Sequence, residues 1–232
     1  MIGGPASPIH QSCLLDQHLL SIGIDPASKM AGMKFVGLRT LSLALLICGG
    51  AAAQARTKTE ANGLANAVIL IIRHAEKPET GPELTPIGQK RADAYVGFFK
   101  KYRVDGKPLV LDHLFAAKDS KASMRPRLTI EPLAKALNAP IDLRFTDKNP
   151  TDIVAELMTK SYGHEILLCW RHGKIPDLIQ TFGGDPKAFV PEGKWPSEVY
   201  DRVVELHFDA QGKLQPKKSR LVKEHLLPTD EK

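Results

Sequence analysis

A chain of 232 residues amounts to one or one and a half domains at ~150 residues each. Hydrophobic residues make up 43% and charged residues 25%, with 18 glycines and 17 prolines; this ordinary globular balance excludes a collagenous, low-complexity or wholly disordered chain. Basic residues exceed acidic ones by a formal +6, spread thinly along a chain with 6% aromatics, so the clustered footprint of a nucleic-acid binder is missing and no nucleic-acid partner is expected.

The first 55 residues read as targeting rather than fold. From Met33 the chain has a basic start (Lys34, Arg39), a short apolar run over 40–47 and the small-residue ending Ala53-Gln54-Ala55, which together make a signal peptide over 33–55. The apolar run falls short of the ~20 residues needed to span a bilayer. The segment is therefore read as cleaved, with no stable membrane insertion afterwards and a periplasmic or secreted product. Residues 1–32 lack any sustained period and precede a segment that should begin a protein; they read as a mis-called, unordered extension, with translation starting at Met33 or Met30. After cleavage Cys169 is the remaining cysteine, so no internal disulfide is expected. Residues 56–66, polar and small, read as a flexible leader, and 67–232 as the domain.

In chain order, 67–72 is a continuous β-branched apolar run, the pattern of a strand buried on both faces. It stops at Arg73-His74-Ala75-Glu76-Lys77-Pro78. Thr85 then caps a helix with Pro86 in its first position, running to about Tyr102. A short strand is predicted over 112–117, a helix over 124–138, a strand over 140–145 and a helix over 151–160. The apolar run 165–170 is a second fully buried strand, ending in Arg171-His172-Gly173-Lys174. A short helix over 176–182, a last strand over 199–208 and a basic, partly irregular tail complete the chain. In the tail, Lys213, Lys217, Lys218, Arg220 and Lys223 read as a solvated end rather than a membrane-leaning patch. Strands alternating with helices predict an α/β fold with a mostly parallel sheet, whose ligands bind beyond the carboxyl ends of the strands.

The motifs of dinucleotide, P-loop and α/β-hydrolase sites are missing. His164-Glu165 lacks a second histidine for a zinc helix, and the six histidines of the mature chain have no ligand spacing, so no metal is expected. Cys169, in mid-strand, reads as core. What remains is a convergence of cations: two buried strands end in Arg-His, and Arg125 opens the helix after a third. Arginine forks match phosphate oxygens, and a histidine can attack phosphorus to split hydrolysis into two easier steps.

Four segments, in order, carry a resemblance: Ile71-Ile-Arg-His-Ala-Glu-Lys-Pro78, Leu84-Thr-Pro-Ile-Gly-Gln-Lys-Arg-Ala92, Met124-Arg-Pro-Arg-Leu-Thr-Ile-Glu-Pro-Leu-Ala134 and Ile166-Leu-Leu-Cys-Trp-Arg-His-Gly173. Together they make the chain similar to the histidine phosphatase superfamily, as a small secreted bacterial member. The resemblance implies the phosphoglycerate-mutase-like fold, a three-layer α/β/α sandwich with a mostly parallel central sheet. It also implies a phosphomonoester hydrolase, without metal or other cofactor, that works through a phosphohistidine on His74. Arg73, Arg125 and His172 would complete the phosphate pocket, Lys77 would touch the substrate, and the segment from Trp195-Pro196 onward would line the rim. The proton donor stays open: Glu76 beside the nucleophile and Asp147 are candidates, with Asp142, Asp152 and Glu156 in the same interval as Asp147. The short stretch between Arg125 and His172 predicts an open pocket for a phosphorylated small molecule, a glycan or a phosphoprotein. A mutase and an inactive phosphate-binding module of the same fold are the rival readings.

Overall fold

Val68–Arg73 (β1) is buried at all six positions, which places it in the middle of a sheet covered on both faces. In this computed structural model, residues 63–231 are described; the expected extension, signal peptide and residues 56–62 lie outside them. The other elements are the helix Pro86–Lys101 (α1), the two-residue strands Arg103–Val104 (β2) and Lys107–Pro108 (β3), the strand His113–Ala116 (β4) and the helix Arg125–Leu137 (α2). They continue with Ile141–Asp142 (β5), Pro150–Thr159 (α3), Glu165–Trp170 (β6), Ile175–Thr181 (α4), Arg202–His207 (β7) and Arg220–Lys223 (β8).

Six strands form one sheet in the order β5-β4-β6-β1-β7-β8. The pairs β5–β4, β4–β6 and β6–β1 are parallel, and β1–β7 and β7–β8 antiparallel. Alternate residues of each strand face opposite sides, and two apolar clusters follow from that. Ile69, Ile71, Leu168 and Trp170 pack with Ile153, Leu157, Leu178 and Ile179 of α3 and α4. Leu70, Ile72, Leu167 and Cys169 pack with Tyr95, Phe99, Ile130 and Leu133 of α1 and α2. Each buried aliphatic side chain contributes roughly 1.5–3 kcal/mol, so the sheet is clamped between two helical layers. This is the expected α/β/α sandwich with a mostly parallel sheet.

Three expectations are corrected. The leader was predicted to extend to residue 66, but Leu64 is fully buried and the Gly63 N–H donates to the Met158 carbonyl at 3.0 Å; residues 63–66 belong to the domain because an apolar side chain anchors them. The strand over 140–145 shrinks to β5, because the Asp142 carboxylate accepts the Arg144 N–H at 3.0 Å and turns the chain off the sheet edge. The tail is no solvated end throughout: β8 pairs with β7, and Glu224 is 5% exposed with both oxygens accepting from the Tyr95 hydroxyl at 3.0 and 2.9 Å.

Candidate functional site

The parallel register of β1 and β6 sets Arg73 opposite Trp170, and the His74 N–H adds one last bond, to the Trp170 carbonyl at 2.9 Å. Beyond that bond the two chains leave the sheet side by side. His74 and His172 therefore come together although 98 positions separate them, with ring centroids 6.0 Å apart in a near-perpendicular arrangement. A cavity of about 310 Å³ opens there, lined by both histidines and by Lys77, Arg125, Asp147, Arg171, Gly173 and Lys174. It lies beyond the carboxyl ends of the parallel strands, as the fold class requires.

His74 is 3% exposed. Its Nδ1–H donates to the Ala75 carbonyl at 2.7 Å, and a carbonyl can only accept, so the neutral ring keeps its proton on Nδ1 and Nε2 is left with a free lone pair. Burial lowers the pKa of the ring to about 3 against the pull of that hydrogen bond, and the neighbouring Arg73 and Arg125 charges push the same way as burial. His172 has the opposite tautomer. Its Nδ1 accepts from Arg73 Nη2 at 3.3 Å, which places the proton on Nε2. Burial, then Arg73 and Lys77, lower its pKa to about 4. One ring thus offers a lone pair and the other an N–H donor.

Arg73 meets the site through His172. The resemblance puts it in the phosphate pocket, yet it is not among the cavity-lining residues. Its Nη1 donates to the Ser197 and Val199 carbonyls at 2.8 Å each, and its guanidinium lies 3.7 Å from the centroid of the Tyr200 ring. The segment from Trp195 onward, expected at the rim, grips Arg73 instead; the Trp195 indole N–H donates to the Val199 carbonyl at 2.8 Å and fixes its shape. With most of its fork engaged, Arg73 orients His172.

Arg73 keeps its buried Nε without a hydrogen-bond partner among the described residues, and further cations line the cavity. Arg125 donates to the Gly81 and Ala122 carbonyls at 2.8 and 3.3 Å, and its buried Nε has no hydrogen-bond partner among the described residues. Such an orphaned donor on a guanidinium lining a cavity suits an anion. Lys77 lines the cavity without an ion pair among the described residues. Arg171 Nε pairs with Asp147 at 3.0 Å, and Lys174 with Asp177 at 2.8 Å. Arg171 belongs to the convergence of cations expected from the sequence, and Lys174 joins it at the cavity, its signal being its position two residues past His172.

The two acid candidates separate. Asp147 lines the cavity. Glu76 does not: its carboxylate takes Arg91 Nη2 at 2.8 Å and Nε at 3.0 and 3.1 Å, and Arg91 also meets Asp230 at 2.6 Å. Glu76 is held by Arg91 and does not line the cavity, whereas Asp147 does. Asp142 and Glu156 are likewise engaged by Arg144. Cys169 is buried, and burial pushes its thiol pKa well up. Among the described residues no three metal-ligating side chains converge.

No family model and no curated protein matches the sequence. Among solved structures the chain is similar to the α-ribazole phosphatase of Shigella flexneri, with 14% identity and a TM-score of 0.45 over 64% of this chain and 94% of that one. It is similar to a phosphoglycerate mutase from Plasmodium falciparum, with 15% identity and a TM-score of 0.45 over 65% and 88%. It is also similar to the protein histidine phosphatase SixA in complex with tungstate, with 13% identity and a TM-score of 0.42 over 64% and 92%.

Proposed function

We propose that this protein is a histidine phosphatase that hydrolyses a phosphomonoester through a phosphohistidine on His74. The observation that carries the proposal is the unprotonated Nε2 of a buried, neutral His74 in a cavity walled by Arg125, Arg171, Lys77 and Lys174. In the first step the Nε2 lone pair forms a bond to phosphorus while the bond to the leaving oxygen breaks; in the second, water takes the phosphoryl group from nitrogen and regenerates the imidazole. Arg125 and Lys77 neutralise the phosphoryl oxygens, and the Nε2–H of His172 donates to the charge that builds on them.

The leaving oxygen departs with its bonding electrons and needs a proton only when it is a poor leaving group. Asp147 is the carboxylate at the cavity, and it serves as donor once the phosphoryl oxygens draw Arg171 away from it. The proposal takes as substrate a phosphorylated small molecule, a glycan or a phosphoprotein, and locates the activity in the periplasm or outside the cell on the strength of segment 33–55. A phosphate-binding module without turnover is the second reading; it is favoured by the pairing of Glu76 with Arg91.

Hydrolysis of an aryl phosphate decides between them, since its leaving group needs little help from an acid. With EDTA present the wild type turns over and His74→Ala does not. Phosphate binding without turnover in the wild type supports the module, and activity that EDTA abolishes overturns the metal-free mechanism.

A further inference from the structure

Thr129 lies one turn into α2, four residues after Arg125, and is fully buried. A threonine in a helix commonly donates its hydroxyl to the carbonyl four residues back, and Thr129 does so, to Arg125 at 2.8 Å. Its lone pair does something else. Oγ1 accepts the N–H of Ala75 at 2.8 Å, across 54 positions of sequence. Ala75 is the first residue past the last sheet bond of β1, fully buried, and its N–H would otherwise be an unpaired buried donor, which is costly. The carbonyl of the same residue receives Nδ1–H of His74.

We infer that Thr129 is a positioning residue: its hydroxyl clips the chain just past the nucleophile to the helix that presents Arg125, and so holds the Ala75 carbonyl where it keeps the His74 proton on Nδ1 and Nε2 bare. The inference rests on the phosphatase reading for its consequence in catalysis, but not for its structural content. A single hydroxyl sets the distance between nucleophile and phosphate clamp on one side and the tautomer of the nucleophile on the other. Removing it leaves Ala75 free to turn, and the Nε2–H tautomer, which cannot attack, becomes populated.

The test reads the side-chain ¹⁵N resonances of His74 in the substrate-free protein, assigned by their loss in His74→Gln. The wild type shows Nδ1 protonated. Thr129→Val, which keeps the shape and loses the hydroxyl, shows a mixture of tautomers, and Thr129→Ala repeats the result with a side chain too small to crowd the site. Against an aryl phosphate the kcat of either variant falls about tenfold or more with KM within about twofold, the mark of lost orientation rather than lost binding, and Thr129→Ser restores both tautomer and kcat. A purely structural threonine would lower stability and leave the tautomer alone. Retention of the Nδ1 proton in Thr129→Val and Thr129→Ala, or failure of Thr129→Ser to restore it, overturns the inference. Because the tautomer is read without substrate, it is decided even if the protein turns nothing over.

Discussion

At the scale of single residues, the two histidines divide one task through the bonds on their Nδ1 atoms. A carbonyl holds the proton of His74 on Nδ1, and a guanidinium forces that of His172 onto Nε2. The lowered pKa of His74, at about 3, has a consequence for stability. An unfolded histidine takes up its proton below ~6.5, whereas folded His74 stays neutral until far lower pH. As pH falls through that window the unfolded chain binds a proton that the folded one refuses, and stability drops. Unfolding free energies measured between pH 7 and 4.5 should therefore fall more steeply for the wild type than for His74→Gln; equal slopes would show that His74 protonates freely in the folded protein. Glu224 opposes this trend, since burial raises its pKa, but it is common to both proteins and cancels in the difference.

At the scale of elements, the sequence was legible where the signal was local. Val68–Arg73 and Glu165–Trp170 announce themselves as apolar runs broken by Arg-His, and Thr85-Pro86 starts α1 with a side chain that accepts the Gly88 N–H at 3.0 Å. From those signals the meeting of His74 and His172 beyond the strand ends follows from topology. The small hairpin of β2 and β3 carries a local signal as well, Asp105-Gly106 with both residues at positive φ, the Asp-Gly turn of a tight hairpin. The direction of Arg73 was not legible, because its partners are carbonyls 124 and 126 positions away, and a carbonyl acceptor leaves no trace in residue identity. The same holds for Glu76, whose arginine lies 15 positions on, in α1. β8 was hidden because an edge strand of four half-exposed or exposed residues carries no apolar alternation.

At the scale of the whole molecule, the C-terminal segment closes a circuit that reaches the nucleophile. The Asp230 carboxylate caps the N–H groups of Leu226 and Leu227 at 3.0 and 2.9 Å and binds Arg91 at 2.6 and 2.8 Å. Arg91 in turn holds Glu76, two residues beyond His74. Arg91 is 1% exposed, and a buried charge stripped of a partner is costly. Asp230→Asn should lower the unfolding free energy by about 2 kcal/mol, less than the loss of a sole partner because Glu76 remains. Chemical denaturation checks it, and an unchanged midpoint would mean that the segment does not dock in solution.

The central claim is covalent. Protein mixed with an excess of aryl phosphate, quenched in alkali during turnover and measured as intact and digested mass, should carry one phosphoryl group per chain, on the peptide containing His74, and none in His74→Ala. A phosphoryl group on His172 instead, or steady turnover with no phosphorylated protein at any time after mixing, would contradict the account.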